Sequence, residues 1–198
     1  MFKRTLLLGL PPLALLGLLA CGGGSHDAPP PPPSAATTLT YLNPTGVPAT
    51  SYFLTRNSSL STDTHLVLDL HGPATTVTGS GVVLTLTLDP SHATWGTLAG
   101  TTPVANGSVF LSNLGGEPVV KGRISGGNLQ VLVTERGTGS AKPFIGPLLQ
   151  IALDLKAGQT KGSVILLTPD LSKSKVLLPG SANPTPLPDL RVGALTAE

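Results

Sequence analysis

The sequence predicts an all-β protein, an antiparallel β-sandwich of about nine strands. Apolar residues recur at every second position over short runs, and Gly, Pro, Asn and Asp punctuate those runs. No window of about twelve residues or more carries a 3.6-residue period. Composition agrees: charged residues are only 11% and aromatics 4%, while Thr and Val are heavily used. The same figures exclude other classes. No basic run exists that could grip a nucleic acid, and the single cysteine can close no internal disulfide or Cys-rich metal site.

The first element, residues 1–20, has the build of an export signal. Lys3 and Arg4 open it, and residues 5–19 are apolar. That stretch is shorter than the roughly 20 residues a membrane span needs, and Pro11 and Pro12 interrupt it. Its end, Leu18-Leu19-Ala20-Cys21, resembles the lipobox of bacterial lipoproteins. The resemblance implies a diacylglyceryl group on the Cys21 sulfur, cleavage after Ala20 and an acyl chain on the new amino group. Two or three chains anchor stably where one does not. No other cofactor is expected. Loss of Lys3 and Arg4 would leave 10 basic and 10 acidic side chains from the 12 and 10 of the full chain, so the positive charge belongs to the signal. Residues 21–37 follow as a tether, with Gly22-Gly23-Gly24 flexible and prolines 29–33 forming a polyproline II rod.

The sandwich is expected over residues 38–198. Leu66, Leu68 and Leu70 share one strand face against His65, Val67, Asp69 and His71. Val82, Leu84, Leu86 and Leu88 oppose Thr85, Thr87 and Asp89. Leu129, Val131 and Val133 alternate with Gln130, Leu132 and Thr134, and Leu149, Ile151, Leu153 and Leu155 with Gln150, Ala152, Asp154 and Lys156. Residues 119–124 and 164–168 read as further strands, the second more fully buried. Residues 179–188, with four prolines, read as an extended edge or a loose tail, and 190–195 as a terminal strand. Breakers such as Gly126-Gly127-Asn128 and Asp89-Pro90-Ser91 supply the turns.

Three segments together resemble the cohesin-like, carbohydrate-binding-type β-sandwich: 66–70 with 81–90, which ends in Leu88-Asp89-Pro90; 128–134; and 146–156 with 162–166. Leu88 stands where that family often has an aromatic residue. The resemblance implies a jelly-roll that binds a protein or a glycan without catalysis.

The search for chemistry agrees with that. There is no Gly-x-Ser-x-Gly, His-Glu-x-x-His or Gly-x-Gly-x-x-Gly pattern. Gly137–Lys142 reads as a connection rather than a phosphate loop, and Ser172-Lys173-Ser174-Lys175 as a solvated turn. His65, Asp69 and His71 sit on one strand face, but His65 and His71 would be about 20 Å apart. They read as solvated residues on an exposed face, and no metal site is expected. The one candidate ligand contact is Trp95, placed either to stack on a sugar or to cap the core. The expected function is therefore a lipid-anchored, non-catalytic module of the cell envelope. It would bind an envelope protein or, in the alternative, a glycan, and would lie at the outer membrane where one exists.

Overall fold

The computed structural model describes residues 30–98, 100–110, 118–135, 141–179, 181 and 183–198. The chain divides into two units, Met1–Pro32 and Pro33–Glu198, and the second carries the fold. Its described residues contain no helix. The strands are β1 (Leu39–Leu42), β2 (Tyr52–Arg56), β3 (His65–His71), β4 (Thr78–Gly79), β5 (Gly81–Leu88), β6 (Ala93–Trp95), β7 (Val104–Asn106), β8 (Val119–Ser125) and β9 (Asn128–Thr134). They continue with β10 (Lys142–Pro143), β11 (Pro147–Leu155), β12 (Ser163–Ile165), β13 (Leu167–Pro169), β14 (Lys175–Leu177), β15 (Thr185–Pro186), β16 (Leu190–Arg191) and β17 (Ala194–Ala197). The all-β expectation holds, with more and shorter strands than the nine foreseen.

Two six-stranded sheets make the sandwich. One runs β16-β2-β3-β11-β6, with β7 also on β11; the other runs β15-β14-β5-β9-β8, with β13 also on β5. A small β1-β17-β12 sheet and a β4–β10 pair complete it. All pairings are antiparallel except β16 on β2. The alternating leucines and valines meet between the sheets as predicted. Leu54, Leu66, Leu68, Leu70, Leu84, Leu86, Leu129, Val131, Val133, Ile151 and Leu153 are all solvent-free in one core.

Residues 34–37 are tied to this body. Ala35 bridges Thr160, and the amides of Thr37 and Thr38 both reach Glu198 O at 2.7 Å. The proline-rich stretch near the C-terminus is an edge: Thr185 and Pro186 pair with β14, and Leu187 is buried.

Three expectations are corrected. Residues 164–168 do not form one buried strand. They split between two sheets as β12 and β13, and Val164 and Leu166 are 63% and 64% exposed. The outward face of β3 is solvated only at its ends, where His65 and His71 are half-buried. Between them Val67 is solvent-free and Asp69 only 8% exposed, because the Asn57–Ser61 turn folds back onto them. Asn57 Nδ2 donates to both Asp69 oxygens (3.2 and 3.0 Å), Gln150 Nε2 donates to Oδ1 (2.9 Å), and Ser61 Oγ accepts from the Val67 amide (2.9 Å). Finally, Ser174 does not belong to a solvated turn. It is fully buried, donating to Asp170 O (2.8 Å) and accepting from the Thr85 amide (3.0 Å).

Candidate partner-binding face

The outward face of the β14-β5-β9-β8 sheet is open, and its register arranges four rows across it. The first is Leu177–Gly81–Thr134–Val119 and the second Lys175–Val83–Leu132–Lys121. The third is Thr85–Gln130–Arg123, and the fourth Thr168–Thr87–Asn128–Ser125. Thr87, Lys121, Arg123, Ser125, Asn128, Gln130 and Thr168 are exposed, and Val83 and Leu132 half-buried. Thr87 Oγ1 donates across the strands to Asn128 Oδ1 at 2.7 Å.

The face has a concavity of about 240 Å³ bounded by Thr85, Arg123, Ser125, Asn128, Gln130 and Lys173. Its wall exists because β13 and β14 both pair with β5 but do not join directly. Between them Asp170 starts a tight turn opposite Thr85, and the Asp170 amide donates to Thr85 O (2.9 Å). Lys173 Nζ closes on Asp170 Oδ2 at 2.7 Å, and Ser172 Oγ donates to Oδ1 at 2.6 Å. Those two contacts hold the Asp170 carboxyl down at about 2. At the concavity's floor Thr85 is 5% exposed, and its Oγ1 has no hydrogen-bond partner. A buried hydroxyl without a partner is costly.

Trp95 lies elsewhere, at the edge of the sandwich. It is half-buried and packed on the core, and its Nε1 donates to Gly127 O at 3.0 Å. One side of the ring borders a groove of about 200 Å³ with Leu88, Pro90 and Ile124. Ile124 is 48% exposed because β8 is an edge strand. The groove is apolar and offers little to take sugar hydroxyls.

The three β3 candidates are held apart from one another. His65 Nδ1 meets Asp154 Oδ1 at 2.5 Å, and Asp69 is enclosed by amides. His71 Nε2 faces Thr55 Oγ1 at 2.8 Å, its ring stacked on Phe53 with centroids 5.0 Å apart. Burial lowers the His71 pKa, against the pull of Asp69. Among the described residues no three His, Cys, Asp or Glu side chains gather as a metal site.

One Ser–His–Asp cluster does occur, after β5. Ser91 Oγ donates to Asp89 Oδ1 (2.5 Å), and His92 Nδ1 lies 2.9 Å from both Asp89 Oδ2 and Ser91 Oγ. A catalytic triad needs the carboxylate on one ring nitrogen and the hydroxyl on the other. Here both crowd Nδ1, and the serine proton goes to Asp89. The hydrogen bonds from Ser91, then His92, hold Asp89 at about 2. It is a turn clasp, not a nucleophile.

From sequence Thr85 and Gln130 are only strand positions, Lys173 only part of the Ser172–Lys175 turn, and Arg123 is not singled out. The signal for Thr85 and Gln130 is the polar half of the β5 and β9 alternation, but which polar halves stay uncovered is not a local property. Cys21, the Gly22–Gly24 tether and residues 136–140 of the glycine-rich connection lie outside the described residues.

No family profile matches the sequence, and no curated protein does. Solved structures do. The sixth cohesin of Acetivibrio cellulolyticus scaffoldin B, solved in complex with a Cel5 dockerin mutant, matches at TM-score 0.52 and 17% identity, over 75% of this chain and 100% of that one. The type II cohesin A11 from Bacteroides cellulosolvens matches at 0.54 and 10%, over 74% and 98%. The second type II cohesin of the Acetivibrio cellulolyticus ScaA scaffoldin matches at 0.53 and 13%, over 74% and 88%. The fold is the cohesin β-sandwich. At these identities the likeness is one of fold alone, and it accords with the cohesin-like β-sandwich that the sequence resemblance implies.

Proposed function

We propose that the chain is a non-catalytic protein-interaction module held at the cell envelope by lipid on Cys21, with residues 21–37 leading from the anchor to the sandwich. The observation that carries the interaction reading is the uncovered face of the β14-β5-β9-β8 sheet. Outward rows of a sandwich sheet this exposed, around a hollow bounded by polar side chains, suit a partner surface. The cohesin fold supports it, since the scaffoldin B relative was solved with a dockerin bound. The clasped Ser91–His92 pair gives no competing enzymatic reading.

A glycan-binding alternative rests on Trp95. It is weaker, because that indole has spent its N–H on Gly127 and borders an apolar groove.

The test is capture of detergent-solubilised envelope proteins on the full-length chain and on Gln130→Trp, which plants a bulky ring in the middle of the exposed face without touching the core. A partner enriched by the native protein and lost with Gln130→Trp supports the reading. An identical set recovered by both proteins overturns it.

A further inference from the structure

We infer that the partner surface taken by this face is an acidic protein segment, laid in a neutral trough between two basic rims; this rests on the interaction reading above and names the chemistry of its partner. Nine Lys and Arg lie among the described residues, and four of them gather here. Lys173 and Lys175 stand on the β14 side, while Lys121 and Arg123 stand on β8. The rows between them carry no carboxylate. Among the described residues Asp170 borders the hollow, and it is already taken by Lys173 at 2.7 Å. Among the described residues Lys121, Arg123 and Lys175 make no ion pair.

The spacing is set by the sheet. From β14 to β8 there are three strand-to-strand steps, about 14 Å. The trough floor is Val83 and Leu132 in one row and Thr85 and Gln130 in the next. A helix with side chains is about 10–12 Å across, so one helix or one extended strand fits between the rims and can reach both with carboxylates. Val83 and Leu132 would receive its apolar side chains, and Gln130 and Asn128 its polar ones. The balanced charge expected for the mature chain makes this concentration meaningful, because it is an uneven placement and not an overall excess. Such complementarity acts most on association rate and choice of partner.

The test selects from a displayed library of random segments about 15 residues long, a helical length of about 22 Å, using the full-length chain in detergent as bait. Segments enriched by the native protein should be net acidic. Their binding should weaken roughly tenfold as salt rises from about 0.05 to about 0.3 M, and the acidic bias should vanish with Lys121→Glu, Arg123→Glu and Lys175→Glu combined. Enrichment of neutral or basic segments, no enrichment at all, or a bias that survives the charge reversal overturns the inference. Retention of a sulfated polysaccharide in place of any acidic segment also overturns it. Gln130→Trp separates the two levels. Neutral segments lost with that variant leave the face intact as a binding site and reject its acidic partner. Acidic segments indifferent to it reject the face itself.

Discussion

Two buried polar residues on opposite sheets show how differently a side chain's surroundings can be settled. Asp69 has three donor contacts from Asn57 and Gln150, whereas Thr85 has a partner for its amide but none for its hydroxyl. Leaving a buried hydroxyl unmade costs about 1–3 kcal/mol. Thr85→Val should therefore raise stability by about 1 kcal/mol, read as a higher urea midpoint at unchanged slope. A lower midpoint would show that the hydroxyl is bonded in solution. His71 gives a pH signature. Its pKa in the fold lies below the ordinary 6.5 because it is buried, so the unfolded chain binds more protons than the native one over that interval. Its contribution is intact above about pH 6.5 and is lost as pH falls through the lowered value. The urea midpoint measured from pH 8 downward should decline below about 6.5, and His71→Gln should flatten that part of the curve. In the sequence Asp69 and His71 stand out as a candidate for half a metal site and Thr85 only as a polar position of an alternating strand; the burial of none of them is written there.

At the scale of elements, the hairpin between β8 and β9 was legible, because its cause is local. Gly126 holds φ at 60°, a left-handed value at the first of two turn residues, and Gly127 packs where a Cβ would lie 2.3 Å from Leu88 O. The split of residues 164–168 was not legible. A run of apolar residues reads as buried, yet Val164 and Leu166 point outward while Ile165 and Leu167 enter the core, and the change of sheet comes from pairing with β17 and β5, far away in sequence. The last two strands show the same limit. Residues 190–195 read as one strand, but β16 runs parallel to β2 and β17 antiparallel to β1. Gly193 makes the transfer possible. Its Cα is so close to β1 that an added Cβ would lie 1.9 Å from Leu42 O, and its amide donates to the Tyr41 hydroxyl at 2.6 Å. Burial pushes that phenol up to about 12, so it stays a neutral donor and acceptor. Gly193→Ala should cost more than about 2 kcal/mol through backbone displacement, seen as a lower thermal midpoint with unchanged β-sheet circular dichroism in the folded baseline. An unchanged midpoint would mean the contact relaxes freely.

For the whole molecule, attachment and recognition are separate properties. If Cys21 carries the lipid, Cys21→Ser should abolish incorporation of labelled palmitate and release the protein from membranes, while the soluble product keeps the native urea midpoint. Persistent labelling of that variant would sink the assignment. What the sequence by itself determined was the β class, the order of the long strands and the places where the chain turns, together with the cohesin-like pattern from Leu66 onward. Period-two burial and turn chemistry are written over a few neighbouring residues. Only the tertiary structure decided which polar half-strand is a surface. The outward residues of β3 and of β5 are alike in sequence, His65, Val67, Asp69 and His71 against Val83, Thr85 and Thr87. In β3, Val67 and Asp69 are covered by the Asn57–Ser61 turn, while in β5 Thr85 is buried but Thr87 is exposed, on a sheet face rimmed by Lys121, Arg123, Lys173 and Lys175. The physical reason is that register and coverage are set by strands and turns distant along the chain, and that no local period records them.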